Sequence, residues 1–254
     1  MANFQLITKE RHASQFRRPL DSFAFAAKEC LVPIGKQELS SAVLAYPVAL
    51  VEQSAGLVPV AVLGLFDRQN AYVDQNGRWL GGYIPASIRL YPFRLSETAE
   101  GQLSLCIDED SGALCSNSDA EPLFLEDGTA SPQLLEVAKM LQELTQGQRV
   151  LQLASQALKA HGLVMPLAIS LDLDSGKHEV NGLFQIDEAK LNALPAEALL
   201  ALRDAGALAL AYCMCLSMQH LQGLGQRVRV AQALPAHNAS SLVDKDGTFS
   251  FAYL

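Results

Sequence analysis

The hydrophobic rhythm of the chain changes near residue 128. Before it, apolar positions come in short runs or alternate with polar ones, as strands require. After it, they recur every three or four residues, as amphipathic helices require. In the first part, 44–52 (LAYPVALVE) and 59–66 (PVAVLGLF) are aliphatic, β-branched runs of strand length. Asn76-Gly77 then predicts a tight hairpin turn, because its central residues need positive φ. Residues 72–74 and 78–80 are the expected facing strands. A further strand is expected at 102–108 (QLSLCID), and 121–128 (EPLFLEDG) ends in an Asp-Gly turn.

At Ser131 the character switches. A serine before Pro132 suits an N-cap followed by the first helical position, where the missing proline N–H costs nothing. Leu134, Leu135, Val137, Ala138, Leu141 and Leu144 follow at helical spacing. A second helix is expected at 148–162, closed by Gly162 with Lys159 and His161 in its last turn. Residues 165–187 read as a hairpin turning at 174–176, followed by a helix at 194–206 and an apolar helix from 205 to about 223. The tail, 241–254, alternates around Asp246-Gly247 and reads as a last strand or hairpin. The expectation is an α+β fold: a β-rich N-terminal half (1–128) with hairpins, and a mainly helical C-terminal half (129–254) containing a further β-hairpin. The two halves are compatible with one compact unit.

Composition narrows the class. Of 254 residues half are hydrophobic and 18% charged, which describes a folded globular chain. A net charge of −8 argues against nucleic-acid binding, since phosphate neutralisation needs clustered Lys and Arg. The nearest basic run, Lys9, Arg11, Arg17 and Arg18, is sparse and interrupted by Glu10. The first residues lack the apolar core of a secretory signal. The longest apolar stretch, 205–218, falls short of the roughly 20 residues needed to cross a bilayer. No membrane span is therefore expected, and a cytoplasmic location is, with signal-less export left open. Five cysteines do not make a disulfide framework for a chain this long.

Motifs that would carry a known chemistry are absent: there is no G-x-S-x-G elbow, no phosphate-cradling loop and no H-E-x-x-H pair. "GLGQRV" at Gly223 lacks the third glycine of a dinucleotide fingerprint and follows a helix, so it reads as a stop signal. Cys213 and Cys215 point nearly opposite ways on a regular helix. His220 shares a face with Cys213, which makes two ligands where zinc takes four. No metal and no cofactor are expected. Asp108-Glu109-Asp110 is a carboxylate cluster that reads either as acid/base or cation-binding chemistry near Arg89, or as a solvated turn.

The densest specialist stretch is 79–95, WLGGYIPASIRLYPFRL, which holds the only tryptophan. Pro85 and Pro92 stiffen it, and Gly81-Gly82 admits a bulge or a close neighbour. In an extended chain Trp79, Tyr83, Tyr91 and Phe93 fall on one side, together with Arg89. Two readings stand side by side. One is a rigid edge whose rings fill the core and whose arginines pair with acids such as Glu97 or Asp108. The other is a binding site in which Trp79, Tyr83, Tyr91 and Phe93 supply apolar contact area while Arg89 and Arg94 orient an anionic group.

The runs AYPVAL, PVAVLGL, NAYVDQNGRWLGGYIPASIRLYPF, LCIDED and LFLEDG, with NGLFQIDEAKLNALPAEALLALRDAGALALAY, resemble the SapC-like bacterial proteins over roughly 23–216. Ser87 and Cys215-Leu216 depart from that pattern, where a larger residue and a His-Leu pair are common. The resemblance carries a surface-layer label. It also implies an association with flavin-dependent halogenase-type neighbours, cupin-like proteins and outer-membrane receptors, and it brings no catalytic residues. Together these readings point to a non-catalytic binding or accessory protein that recognises a small molecule, peptide or protein partner through 79–93. A carboxylate- or metal-dependent enzyme and a structural surface-layer component are the alternatives.

Overall fold

The structure is a computed structural model describing residues 3–54, 56–65, 69–97, 101–117, 119–173 and 176–233. In chain order the first part holds β1 (Phe4–Leu6), α1 (Lys9–His12), β2 (Phe16–Arg17), β3 (Leu31–Pro33), α2 (Leu39–Val43), β4 (Val48–Gln53) and β5 (Gly56–Val62). Then come the single-turn α3 (Ala86–Arg89), β6 (Phe93–Glu97), β7 (Leu103–Asp108), β8 (Leu114–Cys115) and β9 (Glu121–Pro122). The second part holds α4 (Pro132–Ala160), β10 (Val164–Pro166), β11 (Ile169–Leu173), β12 (Gly176–Val180), β13 (Leu183–Ile186), α5 (Glu188–Asn192), α6 (Ala196–Asp204), α7 (Ala207–Ser217) and α8 (Leu221–Ala233). The fold is α+β, strand-rich first and helix-rich second, with β11 and β12 forming the further hairpin.

The central sheet is antiparallel in the order β10-β13-β4-β5-β3, so strands from both ends of the chain share it. Val48, Ala49 and Leu50 of β4 are all fully buried. Because successive side chains point to opposite faces, three consecutive buried residues mean that both faces are covered, and the run is apolar throughout for that reason. A second sheet, β1-β7-β6, packs against α4 through β6.

Helix α4 ties the two sheets together. Ser131 caps it, its Oγ accepting the Leu134 amide at 3.2 Å, with Pro132 in the first turn. Leu134 and Leu141 join Phe93, Ile107 and Leu123 in a small core. Further along, Leu151, Ala154 and Leu158 enter the main core under the central sheet. Both cores mix side chains from before and after residue 128.

β5 runs Gly56–Val62 in place of the expected 59–66, and three further expectations differ. The two expected helices, 134–144 and 148–162, are one 29-residue helix. A single interior glycine costs a helix only about 1 kcal/mol relative to alanine, less than packing on both sides returns. Gly147 has its own reason to be there: a Cβ would overlap Gln37 Oε1 and stand 2.8 Å from the Lys36 amide nitrogen, in the 3-10 turn Lys36–Glu38. The strand expected at 44–52 begins only at Val48, because the preceding residues form α2 and a turn. The apolar helix expected at 205–223 stops at Ser217, whose hydroxyl donates to the Met214 carbonyl and accepts the Val48 amide. A 3-10 turn, Met218–His220, then redirects the chain into α8. Among the described residues no single helix is long and apolar enough to cross a membrane; α6 and the stretch that follows it bend by 93°. The expected tail strand, 241–254, lies outside the described residues.

Candidate functional site

The 79–95 stretch begins in the loop at Gly77. The facing segments pair through one bridge, Val73 with Trp79, and enclose a five-residue loop, 74–78, in place of the expected tight turn at Asn76-Gly77 between strands 72–74 and 78–80. Gly77 at φ +73° closes it, and Asp74 Oδ1 accepts the amides of Asn76 and Arg78. The 121–131 segment repeats the device: Phe124 bridges Ala130, and Gly128 sits at φ +79°.

Beyond Trp79 the chain becomes a strap pinned at several points. Trp79 Nε1 donates to the Tyr83 carbonyl at 2.8 Å and to Tyr46 Oη at 3.2 Å, and the Tyr46 hydroxyl also donates to that carbonyl. The buried carboxylate of Glu38 accepts three donors: the Gly35 amide (3.1 Å), the Tyr83 hydroxyl (2.8 Å) and the Ala86 amide (2.7 Å). Burial and the neighbouring Glu38 charge hold the Tyr83 hydroxyl up at about 12, and burial raises Tyr46 to about 12. Glu38 and Tyr46 carry no motif signal in the sequence. Only their burial and long-range partners reveal them.

The rings of the stretch do not share one face, because α3 interrupts the extended geometry on which that expectation rests. Trp79 and Tyr83 pack half-buried against the main core. Tyr91 stacks on Phe25 at 4.0 Å and donates to Asp108 Oδ2 at 2.7 Å, and burial with that carboxylate raises its pKa well above the usual tyrosine value. The Tyr91–Pro92 peptide is cis. Phe93 is buried in the small core, with the Arg17 guanidinium 5.5 Å from its ring. Arg94 leaves the group altogether, lying over Phe4 at 3.7 Å and donating to Ser96.

Arg89 is exposed, donates to the Ile84 carbonyl at 3.0 Å and lies 5.7 Å from the Tyr83 ring. Neither Arg89 nor Arg94 forms the expected pair with Glu97 or Asp108. Arg89 and Phe93 line one cavity of about 510 Å³ between the strap and α4. Leu90, Val137, Met140 and Leu144 supply its apolar wall. Arg17, Glu38, Glu121, Glu136 and Glu143 supply its other charges.

The carboxylate cluster sits at a 3-10 turn and does not converge: Asp110 is exposed there, while Asp108 and Glu109 are engaged. Asp108 is buried and saturated by the Asn3 and Asp110 amides and the Tyr91 hydroxyl. Glu109 receives Arg11 at 2.5 and 2.6 Å and lies 3.3 Å from the buried His12; the Arg11 guanidinium holds its carboxyl below the usual range. None of Asp108, Glu109 and Asp110 lines the cavity that holds Arg89. Burial raises both thiols, Cys213 and Cys215, and His220 Nε2 donates to the Val43 carbonyl. Among the described residues no group of three or more His, Cys, Asp or Glu side chains is arranged to hold a metal.

The SapC family model matches residues 7–224. The chain belongs to the SapC family. No curated protein and no solved structure shows a significant match to this SapC chain. The strap of this SapC protein, 79–93, lies wholly inside the matched region.

Proposed function

We propose that this SapC protein is a non-catalytic binding or accessory protein, and that its site is the cavity between the strap and α4. The observation that carries this reading is Arg89: an exposed guanidinium on a braced strap, lining a cavity with an apolar wall. It has no carboxylate partner among the described residues, so its charge is available to a ligand. Arg17 is matched by Glu121 at 3.2 Å, and the Glu38 carboxylate is consumed by the strap. Glu136 and Glu143 are exposed on the α4 side of the same cavity. The complementary ligand has an apolar body, an anionic group for Arg89 and an amine for a glutamate, which is the chemistry of an amino acid or short peptide. Of the six residues singled out in the sequence, Arg89 and Phe93 serve this site directly, while Trp79, Tyr83 and Tyr91 hold the strap that presents it.

The test uses the full chain carrying Met140→Cys labelled with an environment-sensitive fluorophore, titrated with a panel of free amino acids and short peptides. Saturable responses that weaken at least ten-fold in Arg89→Gln are expected. Equal responses with and without Arg89, or none across the panel, would overturn the reading.

A further inference from the structure

The strap has a second side, independent of the site proposed above. There Gly81, Gly82 and Tyr83 border a cavity of about 570 Å³, opposite Tyr72, His220 and Arg227. Among the described residues its lining contains no aspartate or glutamate. That is notable in a chain with 27 acidic against 19 basic residues, and it contrasts with the four glutamates that line the Arg89 cavity. An anion entering here meets no like charge among the described wall residues, while the guanidinium of Arg227 attracts it.

Two features equip the cavity for an oxyanion. Arg227 is exposed on α8, its guanidinium 5.0 Å from the Tyr72 ring centroid, and it has no ion-pair partner among the described residues. Stacking on an aromatic face orients a guanidinium while its N–H edge stays free to bind. The amides of Gly81 and Gly82 have no hydrogen-bond acceptor among the described residues. An added Cβ at Gly81 would collide with Tyr46 and Trp79, so only glycine fits there, while at Gly82 it would meet open space. Free successive main-chain N–H groups are a recurrent anion-binding element. His220, in the same wall, is fixed by its Nε2–H, which donates to the Val43 carbonyl at 3.1 Å.

Room for the rest of the ligand adjoins. A second cavity, about 670 Å³, shares Gly223 and Arg227 with the first and is walled by Val73, Leu80 and Val230. Its one carboxylate among the described residues, Asp74, is already held by Arg78 at 2.8 Å and by two amides. We infer that the cleft between the Gly81-Gly82 strap and α8 binds a small molecule by its oxyanion head, phosphate or carboxylate, with an uncharged body lying past Arg227.

The test is amide NMR on the full chain, titrated separately with inorganic phosphate, acetate and hexyl phosphate, with sodium chloride at matched ionic strength as reference. Saturable shifts at the Gly81 and Gly82 amides are expected with phosphate or acetate and not with chloride. Whichever of the two binds more tightly identifies the head group, and hexyl phosphate should bind several-fold tighter than inorganic phosphate. Arg227→Gln should weaken binding at least ten-fold, and Arg203→Gln, at an exposed arginine of α6 outside both cavities, should leave it unchanged. Unmoved glycine amides, the same shifts with chloride, undiminished binding in Arg227→Gln, or equal loss in Arg203→Gln would each overturn the assignment. A null result here leaves the Arg89 fluorescence test standing, so the two proposals fail separately.

Discussion

The Tyr83 hydroxyl donates to the Glu38 carboxylate at 2.8 Å, which links the strap to the 3-10 turn that rests on Gly147 of α4. Glu38 is 5% exposed. A carboxylate so buried persists only if its acceptor capacity is filled, and three donors fill it. One buried charge is therefore among the pins that hold the strap.

Glu38→Ala removes three charge-assisted hydrogen bonds and leaves the Ala86 and Gly35 amides without their acceptor. Destabilisation of about 2–4 kcal/mol is expected, measured by urea unfolding. Glu38→Gln keeps the volume but turns an NH₂ toward donors, and it should also destabilise, by about 1–2 kcal/mol. A neutral effect of both would mean that the strap is held by its apolar contacts and the hydrogen bonds among Tyr46, Trp79 and Tyr83.

Tyr46→Phe deletes a hydroxyl that bridges Trp79 Nε1 and the Tyr83 carbonyl. Because Trp79 still donates to that carbonyl, the loss should be modest, about 1 kcal/mol. The single tryptophan reports the change directly, through an altered intrinsic emission maximum of the folded state.

Gly147→Ala is expected to destabilise the protein although alanine is the better helix former by about 1 kcal/mol. The new methyl would overlap the Gln37 side chain and press on the Lys36 backbone, a clash costing about 1–3 kcal/mol. The net sign is measurable by thermal denaturation. A stabilised variant would show that the turn moves away freely.

Alkaline pH should unfold the protein through its hydrogen-bonded tyrosines. Tyr46 and Tyr83 lie at about 12 when folded, against the ordinary 10. A raised pKa means that the folded state favours the neutral phenol. The stability this contributes is complete below pH 10 and lost as pH rises toward 12. Phenolate absorbance should thus appear late and together with unfolding, and Tyr83→Phe should shift the alkaline midpoint. On the acid side, Glu109 is lowered by Arg11, so its contribution is present above the ordinary carboxylate value and lost as pH falls through its folded pKa.

Much of the fold was legible in local patterns. Ser131-Pro132 marks the start of α4 because a cap and a fixed φ act within one helical turn. Gly77 and Gly128 mark loop closures because positive φ is a property of the residue itself. The strand-rich and helix-rich halves follow from apolar periodicity. The site was legible only in part. The 79–95 stretch stood out by composition, yet its parity did not survive, because the single turn of α3 rotates the later side chains away from the earlier ones.

The amino-acid order by itself determined the class of fold, the principal caps and turns, and the family, since each rests on neighbouring residues or on a recognisable run. Tertiary structure alone decided that α4 runs unbroken, that Asp108 is an internal anchor, and that Arg89 and Arg94 part company. Those outcomes rest on partners far apart in the chain, such as Glu38 with Tyr83, 45 residues on, and Asn3 with Asp108, 105 residues on. The burial that makes such pairs strong exists only once the chain has closed around them.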